Sequence, residues 1–166
     1  TRESLPSIRE RELEEACKVI GITDLRKMGL RDKTVEFEPY EHIDGMIKSL
    51  IDDTNPSLII SFYPGYAVHP DHEATADAVI RTVERMPKEE RPRLTLVAFS
   101  NDATEALGEP DIQNDITDFK ELKIKAFEAH ASQTGPFLKQ LASPEIDGKQ
   151  HSFLTVEPYW TYHFKS

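Results

Sequence analysis

The sequence has one cysteine, relatively few basic residues and no apolar run long enough to span a bilayer. The single thiol, Cys17, cannot form an internal disulfide, which is typical of proteins from the reducing cytoplasm. It falls on the apolar side of a predicted helix, so we expect it to be buried and inert. Acidic residues number 30 against 20 basic ones, a formal net charge of -10. This balance argues against a nucleic-acid or anionic-membrane partner.

The chain of 166 residues is long enough for one domain, residues 1–166, with a moderate core. Apolar residues recur at helical spacing within 13–20, 43–50, 76–83 and 117–131. Uninterrupted apolar runs at 57–63 and 94–99 predict strands that are covered on both faces, and shorter strands are expected at 25–29 and 111–116. Because helices alternate with buried strands, we predict the α/β class, with a mainly parallel sheet.

The N-terminal end of this pattern lacks a strand. Residues 1–7 have the composition of a loop leading into a helix, and Ser7 with Glu10 fits a capping box at its start. A parallel α/β sheet rarely begins without a first strand. We therefore expect that an N-terminal βα segment is missing from this sequence.

Two histidines and a carboxylate stand where the run 57–63 gives way to a helix, in the tetrad His69-Pro70-Asp71-His72. Ligands of open α/β sheets bind in such crevices. Both rings can face one side of the first turn, and the helix N-terminus favours their neutral, metal-ligating form. The alternative is simple capping by Asp71, with both histidines on the surface. The spacing alone leaves both alternatives open.

The tetrad resembles the second signature of the PIG-L/LmbE-like zinc deacetylases. Three other stretches match that family in order: residues 9–13 resemble R-x-x-E-L, residues 29–32 resemble G-x-x-D, and residues 130–133 resemble H-x-S-Q. The resemblance covers nearly the whole chain and is closest to the bacillithiol biosynthesis deacetylases of Gram-positive bacteria. The family's N-terminal A-H-P-D-D signature is absent, in keeping with the missing first strand.

The resemblance implies a Rossmann-like, three-layer αβα fold and a Zn²⁺ cofactor. It implies hydrolysis of the N-acetyl group of an N-acetylglucosaminyl malate-type compound, or of another N-acetylglucosamine derivative. By the family match, His72 is the zinc ligand, His69 stabilises the oxyanion and Asp71 orients His69. The other ligands and the general base belong to the absent signature. For these 166 residues alone we therefore expect weak zinc binding and little activity, and an inactive domain with an assembly role is the third alternative.

Five further residues are candidates for substrate binding. Arg9 and Arg2 suit the carboxylates of a malyl group, because a guanidinium binds a carboxylate through two hydrogen bonds. Asp32 could accept hydrogen bonds from sugar hydroxyls, and the resemblance places Gln133 near the substrate. Tyr66 precedes the tetrad in its loop, from which it could close over the substrate. Without the family match, charged residues in these positions would be read as solvated. The expected partner is a small molecule, and the family implies a homo-oligomer.

Overall fold

The computed structural model describes residues 4–141 and 148–164. The chain divides into two compact units, one of residues 1–27 and 114–157 and the other of residues 28–113 and 158–166. Arg2 lies outside the described residues. Among those that are described, no helix is both long and apolar enough to cross a membrane.

A four-stranded sheet is the centre of the second unit. Its strands are β1 Leu58–Phe62, β2 Arg93–Val97, β3 Ile112–Asp115 and β4 Val156–Thr161, in the order β1-β2-β4-β3. β1 is parallel to β2, whereas β4 is antiparallel to β2. The α/β class is confirmed, and β3 lies at a sheet edge.

Two long helices of this unit pack on one face of the sheet. α2 (Tyr40–Thr54) ends at Asn55, whose φ of 43° is the left-handed conformation that terminates helices. α3 (Pro70–Glu84) follows the tetrad. The core is formed by Ile43, Ile47 and Ile51 of α2, by Ala78, Val79, Ile80 and Val83 of α3, and by Leu94 and Leu96 of β2.

The strand predicted in the run 57–63 is confirmed as β1, but its predicted coverage on both faces and the strand predicted at 25–29 are wrong. β1 is an edge strand, and on the face opposite the core Ile60 is 55% exposed and Leu58 38% exposed, so the run is not covered on both faces by the described residues. Residues 25–29 form no strand. Arg26 and Lys27 interrupt the apolar pattern there and are bound by carboxylates, Arg26 by Asp24 at 2.8 Å.

The first unit is helical around α1 (Ser4–Ile20), α5 (Lys120–Ala129), α6 (Ala131–Leu141) and α7 (Gly148–Thr155). Cys17 is buried, as predicted. After α1, Gly21 has a φ of 80° and the Ile22 N–H donates to the Cys17 carbonyl at 2.8 Å, which is a Schellman ending. The predicted capping box is wrong, because Ser7 lies inside α1. The remaining helix, α4 (Ala103–Leu107), belongs to the second unit.

Candidate metal and catalytic site

His69 is the N-cap of α3, with Pro70 in the first turn. Its Nδ1 accepts a hydrogen bond from the Asp71 backbone N–H at 3.1 Å. Pro70 has no N–H, so the Asp71 N–H is the first of the helix donors that needs an acceptor. The capping role that the sequence suggested for Asp71 therefore belongs to His69. Because Nδ1 accepts, the proton of the neutral His69 ring is on Nε2.

The His72 ring has the opposite arrangement. Its Nδ1 lies 3.2 Å from the Ala67 carbonyl oxygen, which can only accept, so Nδ1 carries the proton and Nε2 keeps its lone pair. The ring stacks on Phe62 at the end of β1, with centroids 4.2 Å apart and planes at 10°. Histidines that ligate metals usually donate their other N–H to a carbonyl or carboxylate. His72 is therefore held in a ligating tautomer.

The Asp71 carboxylate ties a distant loop to α3. It accepts hydrogen bonds from the Lys33 N–H at 2.6 Å and from the Val35 N–H at 3.1 Å. Lys33 adopts a φ of 63°, so this loop turns sharply beside the helix. As a result Asp32 reaches the tetrad, and ligand atoms of Asp32, His69 and Asp71 lie within 4.8 Å of one another.

This group of two carboxylates and one imidazole could hold a metal ion. In the tautomer described above, however, His69 offers an N–H at Nε2 rather than a lone pair. His69 is thus better suited to donate a hydrogen bond, and His72 is better suited to bind the metal. Asp32, which the sequence proposed for substrate contact, is brought into this group with His69 and Asp71.

Tyr66 lies in the turn between β1 and the tetrad. Its carbonyl accepts hydrogen bonds from the Phe99 N–H at 2.8 Å and the Ser100 N–H at 3.2 Å. Its half-buried ring packs edge-on against Tyr63, with centroids 5.6 Å apart. The loop that carries Tyr66 is therefore fixed to the segment after β2.

Arg9 and Gln133 are in the first unit, where their two motifs meet. The Glu12 carboxylate accepts the Ser132 N–H at 2.9 Å and the Ser132 hydroxyl at 2.5 Å. These two bonds, with smaller contributions from His130 and Arg9, lower the pKa of Glu12. Glu12 thus caps the start of α6 and links residues 9–13 to residues 130–133.

Glu12 in the first unit and Glu73 in the second each hold a local motif together, and the sequence predicted no role for either. The Glu73 carboxylate accepts the N–H groups of Gly65 and Ala67, in the turn that leads to His69. Both glutamates are acids in an acid-rich chain, and such residues are usually solvated. The only signal for Glu73 was its place in the first turn of a helix, where negative charge is favourable.

The fold and site together define an α/β protein with a candidate metal-dependent catalytic centre at a strand-to-helix junction. The family described as PIG-L, GlcNAc-PI de-N-acetylase, matches residues 1–83. The Bacillus anthracis protein named "Probable N-acetyl-alpha-D-glucosaminyl L-malate deacetylase 2" is 44% identical over 167 residues, which is 99% of this chain and 74% of that protein. The Bacillus subtilis (strain 168) protein of the same name is 44% identical over 163 residues, 97% of this chain and 74% of its own length. The chain belongs to the PIG-L deacetylase family, as the motifs predicted.

A solved structure supports the fold. N,N'-diacetylchitobiose deacetylase from Pyrococcus horikoshii superposes with a TM-score of 0.64 at 22% sequence identity. The match covers 96% of this chain and 65% of that one. The predicted Rossmann-like class is confirmed. The chain spans about three quarters of the length of its Bacillus relatives, from the 74% coverage in each.

Proposed function

We propose that this chain is the deacetylase domain of a zinc-dependent hydrolase that removes the N-acetyl group from an N-acetylglucosaminyl malate-type compound in bacillithiol biosynthesis. The observation that carries this proposal is the pair of Nδ1 contacts at the start of α3. The Asp71 N–H donates to Nδ1 of His69 and the Ala67 carbonyl faces Nδ1 of His72, which leaves Nε2 a donor in the first ring and a lone pair in the second. The names of the Bacillus relatives, at 44% identity, support the substrate. We also propose a homo-oligomer, from the family resemblance, and a cytoplasmic location, from the single cysteine.

The donor set at this junction fits zinc in part. His72 would supply one nitrogen through Nε2, since its other nitrogen is engaged by Ala67. A catalytic zinc has three protein ligands and an open position for water, whose pKa it lowers towards neutrality when bound. The resemblance assigns the other ligands and the general base to the A-H-P-D-D signature, which this sequence lacks. Weak zinc binding by the 166 residues alone is therefore part of the proposal.

His69 stabilises the negative charge that develops on the acetyl oxygen. Its Nε2–H is the available donor, and the Asp71 N–H holds the ring in place through Nδ1. Asp71 thus orients His69 through its backbone, while its carboxylate bonds the loop of Lys33 and Val35. In other hydrolases, one such donor lowers the activation barrier by about 3–4 kcal/mol.

Substrate specificity is proposed to come from charged and polar groups. Arg9, and Arg2 outside the described residues, would bind the malyl carboxylates. Asp32 would accept hydrogen bonds from sugar hydroxyls, and Tyr66 and Gln133 would contact the substrate. Replacement of Arg9 by alanine should raise KM for the malyl-bearing substrate and leave that for malate-free N-acetylglucosamine unchanged. An unchanged KM for the malyl substrate would remove Arg9 from the site.

The decisive experiment measures acetate release by the protein purified as its gene encodes it. Zinc-loaded protein is given N-acetylglucosaminyl malate or malate-free N-acetylglucosamine at equal concentration. We expect preferential release from the malyl compound, and loss of that release with a chelator. Equal or greater release from malate-free N-acetylglucosamine would instead favour another N-acetylglucosamine derivative as the substrate. Absence of release from every substrate, despite bound zinc, would favour the inactive assembly domain.

A further inference from the structure

The Glu73 carboxylate is engaged at both oxygens by one short turn. It accepts the Gly65 N–H at 2.5 Å and the Ala67 N–H at 2.8 Å. Gly65 has a φ of +82°, so the chain turns at this residue and the N–H groups of Gly65 and Ala67 both face Glu73. A carboxylate provides an acceptor oxygen for each donor, whereas an amide provides only one oxygen. Glu73 therefore provides one acceptor oxygen for each of the two N–H groups of this turn.

Ala67 connects this carboxylate to the proposed metal ligand. Its N–H donates to Glu73, and its carbonyl accepts the His72 Nδ1–H at 3.2 Å. Ala67 is completely buried, so water does not replace either partner readily. The orientation of the His72 ring thus depends on a carbonyl whose residue is fixed by Glu73.

The next residue shows why this fixation matters. Val68 has a φ of 58°, which is unfavourable for a β-branched residue and costs roughly 1–3 kcal/mol. Such a conformation persists only when its surroundings determine it. Glu73 fixes Ala67 on one side, and the bond between His69 and the Asp71 N–H fixes the other side.

We infer that Glu73 is a positioning residue that sets the tautomer and orientation of His72 through Ala67. The inference rests on the proposed function in treating His72 as the metal ligand. Favourable placement of an acid in the first helical turn would by itself stabilise α3 without affecting the His72 ring. Measurements made at the His72 ring and at the metal therefore distinguish a positioning role of Glu73 from stabilisation of α3 alone.

The test compares Glu73→Gln and Glu73→Asp with Glu84→Gln, a matched exposed glutamate at the other end of α3. Long-range ¹H–¹⁵N spectra of the imidazoles report the tautomer, and the signal lost in His72→Ala identifies His72. We expect the Nδ1–H tautomer in the parent protein and in Glu84→Gln, and a mixture of tautomers in Glu73→Gln. Glu73→Asp, which keeps the charge but has a shorter reach, should lie between them and serves if Glu73→Gln does not fold.

Zinc affinity of the protein as its gene encodes it, measured by chelator competition, is the second readout. We expect Glu73→Gln to bind zinc about 10-fold to 100-fold more weakly, as is common when a partner behind a metal ligand is removed. An unchanged His72 tautomer with zinc affinity within about twofold of the parent would overturn the inference. If the tautomer changes but even the parent binds no zinc, the positioning role stands and the proposed function fails. If the parent binds zinc through His72 and Glu73→Gln changes neither readout, the proposed function stands and the positioning role fails.

Discussion

His69 and His72 lie on the same turn of α3 but present opposite hydrogen-bonding states at Nε2. Their ring centroids are 5.1 Å apart, with planes inclined at 45°. The Asp71 N–H occupies Nδ1 of His69, whereas the Ala67 carbonyl occupies Nδ1 of His72. Two chemically identical side chains are therefore left by their backbone partners in different states, with Nε2 a hydrogen-bond donor in His69 and a lone pair in His72.

Alanine substitution of these two histidines should have different effects on zinc. His72→Ala should lose the metal, because it removes the nitrogen whose lone pair is free. His69→Ala should retain zinc and lower kcat about 100-fold or more, the usual effect of removing an oxyanion donor. Zinc content after dialysis and acetate release, both measured on the protein as its gene encodes it, check the two outcomes. Equal zinc content in the two variants would contradict the assignment.

Asp71→Asn should loosen the loop that carries Asp32. An asparagine has one acceptor oxygen for the two N–H groups of Lys33 and Val35, so one of them loses its partner. Because the Val35 bond is only partly buried, we expect a loss of about 1 kcal/mol in the free energy of unfolding.

Urea denaturation of Asp71→Asn measures that loss. Asp102→Asn is the matched control, because Asp102 precedes α4 without a side-chain capping bond. The control should change stability by less than about 0.5 kcal/mol. Similar losses in both variants would show that the carboxylate of Asp71 does not hold the loop.

The sequence predicted α3 well and β1 only in part, for physical reasons. In α3 the apolar residues recur at the helical period, which directly marks the face that is buried. In β1 a continuous apolar run indicates a strand but does not report which neighbours it has. The 55% exposure of Ile60 depends on what covers the sheet face opposite the core, which is a property of the tertiary arrangement and has no local signal in the run.

In the site, too, local features could be predicted from the sequence and long-range contacts could not. The tetrad is contiguous, so its placement at a strand-to-helix junction follows from local pattern alone. The approach of Asp32 depends on bonds between Asp71 and backbone groups 36 and 38 residues away, for which the sequence has no local signal. Residues 156–161 form β4, for which the sequence pattern predicts no strand. Trp160 in it is buried, but its pairing with β2 depends on partners far away in the chain.

Asp44→Ala should be strongly destabilising. The Asp44 side chain is only 6% exposed and pairs with Arg81 at 2.7 Å and Arg85 at 2.9 Å. Its removal leaves Arg81, itself 26% exposed, without its carboxylate in the partly buried space beside α2. We expect a loss of about 3 kcal/mol, the lower end for breaking a buried ion pair, because water reaches part of Arg81.

Asp52→Ala on the same helix is the control for Asp44→Ala. Asp52 pairs with Lys48 at 2.5 Å, but the two side chains are 58% and 50% exposed. Exposed pairs of this kind contribute less than about 1 kcal/mol. Chemical denaturation of the two variants should therefore separate them by about 2 kcal/mol or more. Equal losses would mean that burial of Asp44 does not strengthen its contribution.

Acid should weaken the bond between Asp111 and β4. The Thr161 hydroxyl and the Thr161 N–H, the latter at 2.7 Å, donate to the Asp111 carboxylate, and together with His163 they lower its pKa below the ordinary 3.8. Since the pKa is lower in the folded state, the stabilisation is fully present above about pH 4 and is lost as the pH falls through the folded value. Asp111→Asn should therefore be less stable than the parent at neutral pH, and the difference should shrink below about pH 4. Urea midpoints of both proteins from about pH 7 to pH 2.5 measure this difference. A gap that stays constant over that range would show that ionisation of Asp111 does not support the end of β4.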